Sequence, residues 1–184
     1  MGTTISGATG IDKVQDGTIV NADINSSAAI AGSKLVMPAG SVLQVVTTQY
    51  TTATIWSSTS LIAHGASATI TPSSTSSKIL ITVNVHHETY ATGGQDAGVG
   101  FAYKRGSTNI WETVNAYAYY FYPGASPERH EERGWTSLPQ YLDSPSTTSA
   151  TTYALWARKY NSAQGTVFQS SGHPTTITLM EIAG

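Results

Sequence analysis

Beyond residue 40, apolar and polar residues alternate in short runs separated by Gly, Pro and Ser clusters. The clearest run spans residues 79–85. Ile79, Ile81, Val83 and Val85 fall on one side, and Leu80, Thr82, Asn84 and His86 on the other. One side is wholly β-branched and the other turns polar toward its end, the pattern of a strand half-buried in a sandwich wall. A shorter candidate at residues 68–71 leads into it through Pro72, Ser73, Ser74, Thr75, Ser76 and Ser77. Proline cannot donate to a ladder and small hydroxyls satisfy a turning backbone, so the strand must stop there. Similar spacing predicts strands at 42–49, 50–56, 98–104, 109–114, 115–122, 136–142, 151–158, 165–169 and 175–182, with Arg105-Gly106-Ser107 as a hairpin turn. No segment shows an amphipathic helical period. The expectation is an all-β chain in which residues 41–184 form an antiparallel, jelly-roll-like β-sandwich.

Residues 1–40 follow a different rule. They contain no aromatic residue, and Ile5, Ile11, Ile19, Ile24, Ile30 and Leu35 recur at irregular intervals that fit neither a heptad nor an alternating strand. Such a segment cannot build a core alone, so it is either a flexible leader or an extended shaft in which several copies share their aliphatic residues. Large aliphatics would have no purpose in a leader. An anchor and oligomerisation segment using Ile19, Ile24, Ile30 and Leu35 is therefore expected, with Pro38-Ala39-Gly40 marking the boundary to the head.

Composition narrows the function classes. Charged residues make up 11% of the 184-residue chain and the formal net charge is -2, so no electrostatic footprint for nucleic acid or an anionic membrane is visible. The chain has no cysteine, which excludes a disulfide scaffold and thiolate-bound metal. The start lacks a basic region followed by an apolar core, and no run is long enough to span a bilayer as a helix. A chain made in a cytoplasm, without a cleaved export signal or membrane insertion, is expected.

Four blocks then carry a resemblance: G-T-I-V-N-A-D-I-N-S-S-A-A-I-A-G-S-K-L near the start, T-I-T-P-S-S-T-S-S-K-I-L-I, Y-L-D-S-P-S-T-T-S-A-T-T-Y, and T-I-T-L-M-E-I-A-G at the end. Together, in this order, they resemble bacteriophage fibre and virion-surface proteins, especially those of phages from aquatic bacteria. The resemblance implies a virion structural protein with a trimeric β-sandwich head on a short shaft. It would act in attachment to a host surface glycan or protein, or in decoration of the capsid. Its partners would be two further copies of itself and, through the N-terminal segment, other virion proteins. Residues 86–94 and 111–135 share no motif with the family, so ligand specificity does not transfer.

Candidate chemistry gathers in that unshared middle. Tyr117, Tyr119, Tyr120, Phe121 and Tyr122 put rings on both sides of a strand, and Trp111 and Trp135 flank them. Glu128, Arg129, His130, Glu131, Glu132 and Arg133 form the one dense charge cluster, which is either a solvated loop or a polar rim beside the rings. The candidate ligand patch is Trp111, Tyr120, Tyr122, Glu128, Arg129, Glu131, Arg133 and Trp135. Its rings suit the apolar faces of sugars, and its arginines and carboxylates suit their polar groups. His86-His87-Glu88 invites a metal, but adjacent strand residues point apart, so His86 and Glu88 would need a third ligand such as His130 or His173. No metal and no cofactor are expected. Nor is an enzyme: no nucleophile elbow, phosphate loop or dinucleotide glycine pattern occurs. A carboxylate pair for glycoside cleavage could be drawn from Asp96, Glu112, Glu128, Glu131, Glu132 and Asp143, but sequence places no two at the required separation, so a polysaccharide-degrading enzyme is the less favoured alternative.

Overall fold

Ile79, Ile81, Val83 and Val85 are each at most 3% exposed, while Asn84 between them is open to solvent. The alternation in the sequence is thus the alternation of the strand, and the β-branched side faces the core. In the computed structural model the described residues are 27, 35–92, 97–113, 118–120, 129–160, 167–169 and 172–184, with backbone course only for 90–92, 97, 118–120, 129–133 and 167–169. The chain divides into two compact units, Met1–Val36 and Met37–Gly184. Ile19, Ile24 and Ile30 lie outside the described residues, and Leu35 is exposed.

The second unit holds the strands β1 (Val42–Tyr50), β2 (Thr54–Trp56), β3 (Ile62–Ile70), β4 (Lys78–Thr92), β5 (Ala97–Arg105), β6 (Thr108–Glu112), β7 (Ala118–Tyr120), β8 (Arg129–Ser137), β9 (Tyr141–Asp143), β10 (Thr151–Lys159), β11 (Val167–Gln169) and β12 (Thr175–Ile182). A seven-stranded sheet runs β1-β12-β4-β11-β2, with β8 and β9 also pairing with β4. A five-stranded sheet runs β3-β10-β5-β6, with β7 also on β5. Every pairing is antiparallel. The chain passes from one sheet to the other between β2 and β3, β3 and β4, β4 and β5, β7 and β8, β9 and β10, and β10 and β11, so the two sheets are wound together as in a jelly roll.

The core is the set of inward positions. Ile70 of β3, Ile79 and Ile81 of β4, Phe101 and Tyr103 of β5, Tyr153 and Leu155 of β10, and Ile177 and Leu179 of β12 are at most 2% exposed. Each such side chain contributes about 1.5–3 kcal/mol by leaving water. Polar groups tie the layers where rings reach across. Tyr103 Oη donates to the Pro139 carbonyl at 3.0 Å, and Tyr153 Oη donates to Asp143 Oδ2 at 2.7 Å. Asp143 sits on the seven-stranded sheet, and Arg105 at the end of β5 approaches both its oxygens, at 3.0 and 2.8 Å.

The serine-rich turn between β3 and β4 is also fixed by a buried carboxylate. Glu181 accepts from Ser73 N and Ser73 Oγ, and from Gln44 Nε2 on β1, each at 2.6 Å. Burial alone would raise its pKa. The bonds from Ser73 and Gln44 outweigh that and bring it down to about 2.

Several boundaries depart from the sequence reading: β3 begins at Ile62, six residues before the candidate at 68–71, and β4 runs on to Thr92. Residues 50–56 are not one strand, because β1 ends at Tyr50, residues 51–53 turn, and β2 begins at Thr54 in pairing with β11. The run 136–142 is split between β8 and β9, with Pro139, which lacks the N–H a ladder needs, in the gap. The backbone of the charge cluster at 129–133 is strand, not loop. It continues β8, which pairs with β4 from Asn84↔Ser137 to Thr92↔Arg129. A long central strand leaves a row of backbone donors and acceptors to satisfy, and that demand overrides the poor strand propensity of Glu and Arg.

One glycine has a precise steric duty. Opposite Leu155, strand β3 carries extra residues between the pairs Ala154↔Ser67 and Trp156↔Ala63. Gly65 in this bulge has φ +104°, and a Cβ there would run into the Tyr50 ring. Tyr50 cannot easily withdraw, since its hydroxyl is bonded to Thr54 Oγ1 at 2.8 Å and its ring edge meets His64. Gly65→Ala is expected to cost about 3 kcal/mol through strain and displacement of Tyr50. A thermal melt should show a midpoint lower by roughly 6–12 °C, and an unchanged midpoint would refute the steric account.

Candidate functional site

The outward face of the seven-stranded sheet is ordered in rows, because antiparallel register places side chains of the same parity beside one another. The first row is aliphatic: Val45 of β1 pairs with Met180, Met180 with Leu80, and Leu80 with Leu142. Val45 and Leu142 are 55% and 49% exposed. The second row is threonine: Thr47, Thr178 and Thr82, with Thr47 Oγ1 and Thr178 Oγ1 3.2 Å apart. The third joins amides and hydroxyls: Gln49, Thr176, Asn84 and Ser137. The fourth is aromatic, with His86 beside Trp135. Successive rows lie about 7 Å apart, two residues along a strand.

Rows two and three open into a shallow pocket of about 160 Å³ lined by Thr82, Val83, Asn84, Ser137, Leu138, Gln140, Thr176 and Thr178. Its lining contains no charged residue and six that bear a hydroxyl or a side-chain amide. At its aromatic border Trp135 is 54% exposed, although its indole is fixed: Nε1 donates to the Pro174 carbonyl at 3.1 Å. The ring stands edge-on to His86 at 5.0 Å and tilts over His173 at 5.5 Å. The result is a rigid, half-open indole beside a neutral polar hollow.

The outward face of the five-stranded sheet differs. Lys104 Nζ lies 3.6 Å over the Trp156 ring, and Arg158 Nη1 pairs with Glu112 Oε1 at 2.9 Å while Nη2 donates to the Thr113 carbonyl. Its charges are engaged with neighbours on the same face.

The sequence-derived patch is divided by the fold. Trp135 lies on β8, on the outward face just described. Trp111 lies on β6 of the other sheet, partly buried against the core with its ring 4.7 Å from that of Tyr103. Tyr120 is placed on β7 and Arg129, Glu131 and Arg133 on β8 by backbone alone, and Tyr122 and Glu128 lie outside the described residues. What the sequence did not mark is the pocket itself. Its signal was present in the alternate residues of I-T-V-N-V (81–85) and P-T-T-I-T (174–178), where polar positions interleave with apolar ones, but only strand register brings these runs together.

His86, His87 and Glu88 are all at most 3% exposed. His86 stacks on His173 with ring centroids 4.5 Å apart and planes 21° from parallel. Stacked rings keep their nitrogen lone pairs in parallel planes, so these two do not converge on one ion. No cluster of three metal-ligating side chains occurs among the described residues. His87 points inward instead, toward Phe101, and shares the interior with His64, which stacks on Trp56 at 4.6 Å. Burial lowers the pKa of His64 to about 3, aided by the nearby His87. That of His87 falls to about 4, through burial first and His86 second, partly countered by Glu88. Both imidazoles are neutral at ordinary pH. Ala66 N–H donates to His64 Nδ1 at 3.3 Å, which sets the tautomer with the proton on Nε2.

The architecture defines an all-β sandwich protein whose seven-stranded sheet carries an uncharged pocket on its outer face. No protein-family model matches the chain, and no curated protein matches it. Among solved structures, it is similar to a chain in the structure of infectious bursal disease virus Gx strain, at 13% identity and a TM-score of 0.32. That match covers 85% of this chain and 42% of the other. This chain therefore corresponds to less than half the length of its structural neighbour.

Proposed function

We propose that the chain is a virion-surface protein whose sandwich head binds rather than catalyses, serving as the outward knob of a trimeric tail or head fibre that attaches to a host surface. The likeness of its four sequence blocks to phage fibre proteins supports the virion setting. The observation that carries the binding role is Trp135, half-exposed and fixed by Pro174 beside an uncharged pocket. One part of the ring covers His86 and His173, and the half left in water offers a partner rigid contact area. Binding is favoured over hydrolysis because, of the described carboxylates, Glu112 and Asp143 are each held by an arginine, Glu181 is held by Ser73 and Gln44, and Glu88 is buried. The N-terminal segment joins the three copies and docks the head to other virion proteins.

A second reading, capsid decoration, is favoured by the aliphatic row Val45, Met180, Leu80 and Leu142, since two of its members are about half exposed and suit a protein neighbour. Labelled antibody on intact particles separates the two. Label at fibre tips supports attachment, and label over the whole capsid supports decoration. Light scattering of the full chain is expected to give about 58 kDa, three times the 19.4 kDa chain. A monomer mass would overturn the trimer. The full chain is also expected to adsorb to host cells.

A further inference from the structure

Resting on the attachment reading, we infer that the neutral pocket and Trp135 together form a binding site for an uncharged oligosaccharide, with one sugar ring in the pocket and the next on the indole. The ligand class follows from the lining. Hydroxyls and amides can each donate and accept, as sugar hydroxyls do, so Thr82, Asn84, Ser137, Gln140, Thr176 and Thr178 match a polyhydroxylated ligand in either sense of hydrogen bond. An anionic sugar would find no cation among these residues. In the pocket its carboxylate would lose water without a compensating charge, and that selects against an acidic sugar at this subsite. The pocket of about 160 Å³ is too small for a folded partner's surface and lies in a shallow depression that a single ring can enter.

Trp135 supplies the second subsite. It belongs to the row next to Asn84 and Ser137, two residues further along both strands, so its ring lies about 7 Å from the third row. That step suits the next residue of a linear glycan. The face of an indole takes the apolar C–H side of a sugar, and the bond from Nε1 to Pro174 leaves the ring oriented before the ligand arrives, which lowers the ordering cost. His173, stacked on His86, buttresses the indole from the side.

Isothermal titration of the full chain with neutral gluco-, manno- and galacto-configured tetrasaccharides, and with an acidic uronate tetrasaccharide, tests this. At least one neutral tetrasaccharide is expected to bind and the uronate to bind at least tenfold more weakly. Trp135→Ala should weaken binding about tenfold and Trp135→Phe by less, since a ring remains. Asn84→Ala with Gln140→Ala should weaken it several-fold, and Leu142→Ala, on the aliphatic row, should leave it unchanged. Thermal melts of each variant confirm folding. Failure of every neutral tetrasaccharide to bind, preference for the uronate, or equal binding by a folded Trp135→Ala would overturn the site. The attachment reading fails separately: if the full chain binds neutral tetrasaccharide but does not adsorb to host cells, the site stands and that reading falls. Adsorption without any tetrasaccharide binding has the opposite consequence.

Discussion

Acidification below pH 6.5 is expected to unfold the sandwich steeply, because His64 and His87 are buried neutral between the sheets. Their pKa values are depressed in the fold, to about 3 and about 4 from an ordinary 6.5, with burial the main cause. Above pH 6.5 both states are neutral and the stability is complete. As pH falls through 6.5 the unfolded chain takes up protons that the folded one refuses, and stability is lost until the folded values are reached. Each histidine contributes a slope of about 1.4 kcal/mol per pH unit, so the pair approaches roughly 2.7 between pH 6 and 4. Against a total stability of about 5–15 kcal/mol, two pH units remove a large share. Glu181 acts in the same direction at lower pH. Its carboxylate, lowered from 4.5 to about 2, adds stability that is present above its ordinary value and lost as pH falls toward 2. Melting temperatures measured from pH 8 to 4 should be flat above 7 and fall increasingly below 6.5. His64→Phe keeps a ring on Trp56 and removes one titrating group, so its acid slope should be about half. A melting temperature that stays constant down to pH 4.5 would show that neither histidine is buried as described.

Asp143→Ala should be the most damaging single substitution at the inter-sheet contact, at about 3 kcal/mol and a melting temperature lower by roughly 6–12 °C. Asp143 is 6% exposed and holds Arg105 and the Tyr153 hydroxyl at once. Its removal leaves that hydroxyl buried without its acceptor. The Arg105 side chain, 31% exposed, can still reach water, which keeps the loss below that of a fully buried pair. The Tyr153 phenol shows the same environment. Burial first, then the bond and charge of Asp143, push its pKa far above the ordinary 10.0. Tyr153→Phe alone should cost about 1 kcal/mol. In the double variant no hydroxyl is left orphaned, so the combined loss should fall short of the sum. Simple additivity of the two losses would mean that the aspartate and the phenol are not coupled.

Most of the sandwich was legible in the sequence where one side of a strand faces the core. Residues 79–85 alternate apart from Leu80, and the core takes the odd-numbered residues there and in 175–182, where the sequence is less regular because Glu181 faces inward and Met180 outward. The hairpin at Gly106, with φ +57°, was legible because glycine adopts that conformation without strain. Legibility failed where tertiary demand replaced local preference. From Val85 to Thr89 five consecutive residues are buried, because β8 and β11 flank β4, and Trp135 and His173 cover His86 from outside. An alternation rule sees only the inner cover. The candidate site shows the same limit. Trp135 stood out as a ring, whereas Asn84, Gln140 and Thr178 looked like ordinary solvent-facing positions.

The sequence by itself determined the fold class and the chain's neutrality, since period-two patterning and a scarcity of charge are local properties that survive any arrangement of the strands. Only the tertiary structure decided which polar residues meet. Register sets Thr178 beside Thr82, and Asn84 beside Ser137, across 96 and 53 positions of chain. A shift of one residue in any of these ladders would turn the whole row into the core. The rows on the outer face are therefore products of pairing geometry. The inner face that fixes the pairing is the part the sequence spells out.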